Sequence, residues 1–271
     1  MITLASDFGT PYPAAMKGVL LSRTDARLVD VAHDFPRQDV RAAAFWLRET
    51  LPYFPPATHL VVVDPGVGTD RAAVVVEAGG HRFVAPDNGV AVPAARRIAS
   101  ADRTTDTASR DGDTDADAPF SVSEIEYDDA ETASTTFHGR DVFAPAAADV
   151  HDADRVGDVA RCTPTDDWVD LRFPEPAVDR DGGVAVGEVL VVDGFGNVVT
   201  NVPGDVLADA DGSTVAVGGE PVPVRDAYAA VGVGARLVTV GSHGNVELAV
   251  NQGRGDDAFG VGVGDEVRLA W

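Results

Sequence analysis

Cysteine occurs once, as Cys162, and lysine once, as Lys17. A lone cysteine allows no intramolecular disulfide and speaks against a cysteine-based zinc site. No apolar run approaches the roughly 20 residues that a bilayer-spanning helix needs. The opening Met1-Ile2-Thr3-Leu4-Ala5-Ser6-Asp7 has an acid where a secretory signal would carry a basic flank and a longer apolar stretch, so a cytoplasmic location is expected. Basic charge is scarce throughout: 21 Lys and Arg face 44 Asp and Glu, for a formal net charge of -23. Such a balance repels nucleic acid and anionic membranes, and neither is an expected partner. The acids are spread along the chain, and self-repulsion of that size is tolerable under strong screening. At about 1 M salt the Debye length is roughly 3 Å. The composition therefore reads as a solubility adaptation to a salt-accumulating cell, with recruitment of a basic protein as the alternative.

What is present is enough for one large or two modest domains, since 271 residues can bury a sizeable core. The first half alternates short apolar strands with helical spacing. Met1–Ala5 predicts a strand, Ala14–Arg23 a helix, Leu28–Val31 a strand, and Val40–Leu51 a helix capped by Asp39. His59–Val63 and Ala72–Glu77 are apolar runs too short for helices. This rhythm predicts an α/β domain over residues 1–173 with a largely parallel central sheet. Within it, residues 102–131 hold eleven acids against two arginines, and the stretch 101–131 reads as an acidic surface loop with one short strand near Val122–Ile125. Arg172–Gly183, with two prolines and two glycines, reads as a linker. Beyond it come short β-branched segments at 184–192, 198–202, 214–217, 236–240, 246–250 and 266–269. These predict a smaller all-β, barrel-like domain over residues 183–271.

Two constellations carry chemistry. Val63-Asp64-Pro65-Gly66-Val67-Gly68-Thr69-Asp70-Arg71 ends an apolar run in a carboxylate, follows it with a glycine-rich turn, and supplies Arg71 seven residues on. Phe137-His138-Gly139-Arg140-Asp141 brings a histidine from far along the chain. A carboxylate, a guanidinium and an imidazole can together hold and deprotonate a water molecule. Asp7 ends the first strand as Asp64 ends a later one, and ligands of α/β sheets bind outside the carboxyl ends of strands. A turn-capping role is the ordinary alternative for either aspartate. In the second domain, Asp193-Gly194-Phe195-Gly196-Asn197 and Gly241-Ser242-His243-Gly244-Asn245 are loops whose residues also suit plain β-turns. No metal is expected. No His-x-x-x-His spacing occurs, and Asp111-Gly112-Asp113-Thr114-Asp115 lacks the glycine and closing glutamate of a calcium loop.

The order of these motifs, with Asp30-Val31-Ala32-His33, Pro86-Asp87-Asn88-Gly89 and Gly241–Asn251, resembles the S-adenosyl-L-methionine hydrolase (SAM hydroxide adenosyltransferase) family, related to the SAM-dependent fluorinases and chlorinases. Ser6 stands where the first motif commonly has Thr, which keeps the hydroxyl. The resemblance implies a homotrimer with sites at subunit interfaces, SAM as substrate and no cofactor. It implies that Asp64, Arg71 and His138 activate water. Asp7 would bind ribose, and Asp193, Asn197 and Ser242 would contact adenine or methionine. Tyr228 would cover adenine, with Asn88, Glu247 and Asn251 also at the substrate. Adenosine and methionine would be the products. Transfer of halide to give 5'-chloro-5'-deoxyadenosine, and non-catalytic binding of adenosine or SAM, are the alternatives.

Overall fold

The computed structural model describes residues 1–105, 120–128, 132–208 and 214–271, with the side chains of 102–105 left aside. Most of the acidic stretch 101–131 lies outside the described residues. The chain divides into two compact units, Met1–Leu171 and Arg172–Trp271.

In the first unit, β1 (Ile2–Ser6), β2 (Leu28–Ala32) and β3 (Thr58–Val62) are parallel neighbours, and β5 (His81–Pro86) continues the parallel set beside β3. β4 (Ala73–Ala78), β6 (Ser121–Ile125) and β7 (Cys162–Pro164) extend the sheet antiparallel, in the order β2-β1-β3-β5-β4-β6-β7. The parallel strands expected from the β/α rhythm thus form one half of a mixed sheet. Every residue of β1 and β3 is buried, as strands covered on both faces require. β6 is the strand anticipated within the acidic stretch.

The helices follow local chemistry. α1 (Tyr12–Leu21) begins with Pro13 in its first turn, where a missing amide costs nothing, and buries Met16 and Leu20. α2 (Val40–Thr50) is capped by the Asp39 carboxylate, which accepts from the Ala42 amide at 2.9 Å. α3 (Val92–Thr105) packs on α2, and α4 (Ala144–Asp152) packs on α1. Ala144, Ala147 and Ala148 of α4 are fully buried in one core with Ile2, Leu4, Leu60 and Val84. None of the described helices is long and apolar enough to cross a membrane. Burial pushes the Cys162 thiol up to about 11, so it packs as a small protonated hydrophobe.

Two histidine contacts join the starts of β1, β3 and β5. His59 is fully buried, with Nδ1 2.7 Å from the Thr3 hydroxyl and Nε2 2.8 Å from His81 Nδ1. Burial, then the His81 ring, pulls its pKa down to about 3. The unfolded chain takes up this proton near pH 6.5 and the folded chain does not. Stability from His59 is therefore complete above pH 6.5 and declines as pH falls toward 3, at about 1.4 kcal/mol per pH unit. We expect His59→Gln to flatten the fall in thermal midpoint between pH 6.5 and 5, measured by circular dichroism against the parent chain.

The second unit is an antiparallel sheet curled on itself. Its strands are β8 (Ala177–Asp179), β9 (Val184–Val192), β10 (Val198–Pro203), β11 (Thr214–Val217), β12 (Glu220–Pro223), β13 (Arg236–Val240), β14 (Asn245–Val250) and β15 (Glu266–Ala270), ordered β12-β11-β15-β9-β10-β14-β13 with β8 also on β9. A bridge between Val224 and Val238, beside the Arg225 amide donating to the Val238 carbonyl at 3.0 Å, links the two ends of that order. The core is valine-rich: Val189, Val198, Val202, Val215, Val238 and Val246, with Leu248 and Leu269. β12 escaped the sequence pattern because Pro221 and Pro223 interrupt it. Prolines are tolerated at such a terminal strand, which pairs in regular ladder on one side only.

Candidate active site

Asp64 sits two residues past β3, with its side chain 3% exposed. Arg71 forks onto it: Nε donates to Oδ1 at 3.0 Å and a terminal guanidinium nitrogen donates to Oδ2. Bidentate pairing of this kind fixes both groups in plane. The Gly66 amide adds a donor to Oδ1 at 3.1 Å, so the turn between the two residues closes on the carboxylate itself. Gly68 stands at φ +77° with the Thr135 carbonyl 3.0 Å from where a Cβ would be, and this close approach seats the 64–71 turn against the segment leading to His138. The Arg71 Cζ lies 5.1 Å from the centre of the Phe143 ring.

His138 is 1% exposed and precedes a π-helical turn, Gly139–Phe143, that runs into α4. Tyr127 joins it to Arg71. The phenol donates to the Arg71 carbonyl at 3.1 Å, and the ring meets the His138 imidazole edge-on, centroids 5.6 Å apart. Phe143 beneath Arg71 and Tyr127 between Arg71 and His138 thus bring the three expected residues into one neighbourhood. Neither aromatic was singled out in the sequence. Tyr127 lies at the end of the acidic stretch and its spacing to the motifs is irregular; Phe143 reads as core. Arg140 pairs with the adjacent Asp141 at 2.6 and 2.8 Å, which holds that carboxyl below its ordinary range and braces the turn.

Asp7 directly follows β1, 8% exposed, and its carboxylate accepts from the Gln38 backbone amide at 2.6 Å. The strand end is held by a chain of side chains: Ser6 Oγ lies 2.8 Å from His33 Nδ1, His33 Nε2 lies 2.9 Å from Asp30, and Lys17 donates to Asp30 at 2.6 Å. Burial opposes ionisation of Asp30, but the Lys17 and His33 bonds outweigh it and hold its carboxyl below the ordinary range. Asn88 braces the end of β3, donating to the Val63 carbonyl at 2.8 Å and accepting from the Val90 amide at 3.1 Å. Burial raises the pKa of its neighbour Asp87.

The second unit gathers its own set. Asp193 accepts from the Phe195 and Asn197 amides at 2.8 and 2.9 Å and from the Asn197 side chain at 2.9 Å. Tyr228 lies 3.5 Å from that amide and donates its hydroxyl to Glu247 at 2.7 Å. Burial and then the Glu247 carboxylate raise the Tyr228 phenol above its ordinary pKa. His243 lies 3.5 Å from the other Glu247 oxygen. A Cβ at Gly241 would lie 2.3 Å from that histidine ring, so a larger residue there would displace His243. Glu247 is thereby a support for Tyr228 as well as a candidate contact. Asn251 ties the Val231 carbonyl at 2.8 Å, and Ser242 is exposed. Phe195, beside Asp193, is 82% exposed.

Comparison with known proteins bears on both units. Residues 2–160 match the SAM hydroxide adenosyltransferase N-terminal domain, and residues 187–268 match the corresponding C-terminal domain. The chain is 37% identical to the (R)-S-adenosyl-L-methionine hydrolase of Salinispora tropica, over 99% of this chain and 97% of that one. It is 38% identical to the protein of that name from Thermus thermophilus, over 97% of each. Among solved structures it resembles an uncharacterized conserved protein from Thermotoga maritima, with TM-score 0.79 and 31% identity across both full chains. A conserved hypothetical protein from Thermus thermophilus follows, with TM-score 0.70 and 35% identity over 99% of this chain and 98% of that one.

Proposed function

The chain belongs to the SAM hydroxide adenosyltransferase family, and on that premise we propose that it hydrolyses S-adenosyl-L-methionine to adenosine and L-methionine. Asp64, Arg71 and His138 would prepare the attacking water. The observation that carries this reading is the forked Asp64–Arg71 pair joined to buried His138 through Tyr127.

The sulfonium makes methionine a neutral thioether leaving group, so the reaction asks for no general acid. The obstacle is the nucleophile. Water is weak, and it must attack C5' in line with the breaking C–S bond. Holding it there supplies up to roughly 7–11 kcal/mol, and a positioned base contributes about 10²–10⁴-fold. In this reading the Asp64 carboxylate, immobilised by Arg71, accepts a hydrogen bond from the water and orients it, and the His138 imidazole takes its proton. Asp7 holds the ribose hydroxyls. In the second unit Tyr228 covers adenine, Asn197 and Ser242 contact substrate, and Asp193 receives the methionine ammonium.

The same reading takes the protein as a homotrimer with sites at subunit interfaces. It is supported by exposed Phe195 beside Asp193, an aromatic at the rim of a candidate contact set. Light scattering coupled to size exclusion should give three times the 28.2 kDa chain mass.

Choice of nucleophile is testable directly. A buried carboxylate repels chloride, so incubation with SAM should yield adenosine and methionine in 0.1 M and in 3 M KCl alike, with products identified by chromatography and mass spectrometry. Accumulation of 5'-chloro-5'-deoxyadenosine at high KCl would reassign the protein as a halogen-transferring enzyme.

A further inference from the structure

Phe8 follows Asp7 directly, Phe137 precedes His138 directly, and Tyr12 opens α1. Their three rings stand nearly perpendicular to one another. Centroids are 6.3 Å apart for Phe8–Tyr12, 5.8 Å for Phe8–Phe137 and 5.5 Å for Tyr12–Phe137, at interplanar angles of 67°, 77° and 81°. Three perpendicular walls that each stand about 4 Å from a common point have centres about 5.7 Å apart, and a cation at that point lies within the roughly 6 Å over which an aromatic face attracts it. The rings share that spacing, which edge-to-face packing of Phe8 and Phe137 on the core also gives. With the Met16 sulfur they close over Gly139, where a Cβ would lie 3.0 Å from that sulfur, 3.1 Å from Phe8 and 3.3 Å from Phe137. Phe137 already draws a cation: the Arg140 Cζ lies 5.2 Å from its centroid. Tyr12 is 56% exposed, so one of the three rings is reached by solvent.

We propose that Phe8, Tyr12 and Phe137 form an aromatic corner that receives the sulfonium of the substrate and distinguishes it from neutral thioethers. The inference rests on SAM being the substrate, and it assigns a specificity role to residues outside the water-activating set. The sulfonium loses its charge as the C–S bond breaks, so the rings stabilise the bound substrate more than the transition state or the products. Weakening the corner should raise KM and leave kcat unchanged or higher, unlike loss of a catalytic group. It also gives neutral methionine and adenosine little hold on the corner, which favours their release.

The test uses two non-reacting probes that differ at this position: sinefungin, with an ammonium in place of the sulfonium, and neutral S-adenosylhomocysteine. Exposed Tyr12 is the variant least able to disturb folding. By calorimetry, Tyr12→Leu should weaken sinefungin about 3- to 30-fold and change S-adenosylhomocysteine less than about 2-fold, and Tyr12→Phe, which keeps the ring, should restore wild-type binding. Phe8→Leu should show the same selectivity if its thermal midpoint is retained. Equal weakening of both probes, or no weakening of either, would overturn the corner and leave the rings as packing alone. Failure of the wild-type protein to bind either probe would instead overturn the SAM reading on which the corner rests.

Discussion

Alanine in place of His138 is expected to lower kcat for SAM about 10²–10⁴-fold while KM stays within about threefold. His138 is 1% exposed and faces Tyr127 edge-on, so truncation removes an imidazole from an enclosed position and solvent cannot readily substitute for it. Its loss should fall on the chemical step, since the contacts assigned to ribose and adenine lie on other residues. His138→Gln, which fills the same space with an amide that cannot carry the proton, separates chemistry from packing. Both variants should lose turnover, and the glutamine variant should keep the parent thermal midpoint. If the protein only bound SAM, His138→Ala would leave an already negligible turnover unchanged. Single-turnover assays with labelled SAM resolve the outcomes.

Removal of Arg71 is expected to be the most damaging single change to both stability and activity. Its guanidinium provides two of the three hydrogen bonds to a carboxylate that is 3% exposed, and Arg71→Ala leaves that charge buried without its partner. Breaking one side of a buried ion pair costs about 3–5 kcal/mol. Arg71→Lys restores a point charge but not the fork, and should recover part of the stability with little activity. The double variant Asp64→Asn/Arg71→Ala should be more stable than Arg71→Ala alone, because the uncompensated charge is gone, yet equally inactive. Urea unfolding and kcat measured on the parent, Asp64→Asn, Arg71→Ala and the double variant close the cycle. A stability of Arg71→Ala within about 0.5 kcal/mol of the parent would show that the pair is not the support inferred here.

Much of the fold was legible because its signals are local. The alternation of strand and helix in residues 1–63 follows hydrophobic period, and the Asp39 cap was visible as a residue type at a helix entry and is realised as a hydrogen bond. The β-branched segments after residue 183 announced an all-β unit. What escaped was set by distant neighbours. β5 carries His81 and Arg82 in an otherwise apolar run, and His81 is buried because His59 and Phe83 receive it. α3 begins after a turn that Asn88 builds against Val63, with no capping signature of its own.

The candidate site divides the same way. Asp64 and Arg71 are seven residues apart, and a glycine-rich turn between an acid and a base is readable as a loop that folds back on itself. His138, Asp7 and the Asp193 loop were noticed by residue type and motif order. Tyr127, Phe143 and the Phe8–Tyr12–Phe137 corner were not, since aromatic residues at irregular spacing look like core until their partners are known. By itself the sequence determined the two-part α/β and all-β organisation and the acidic balance, and it picked out the candidate site residues, because each depends on local pattern or composition. Only the tertiary structure decided that Tyr127 from the acidic stretch bonds the Arg71 carbonyl beside His138, and that three scattered rings meet as perpendicular walls. Those arrangements depend on strands and loops far apart in the chain being brought together, and no spacing along the chain encodes that distance.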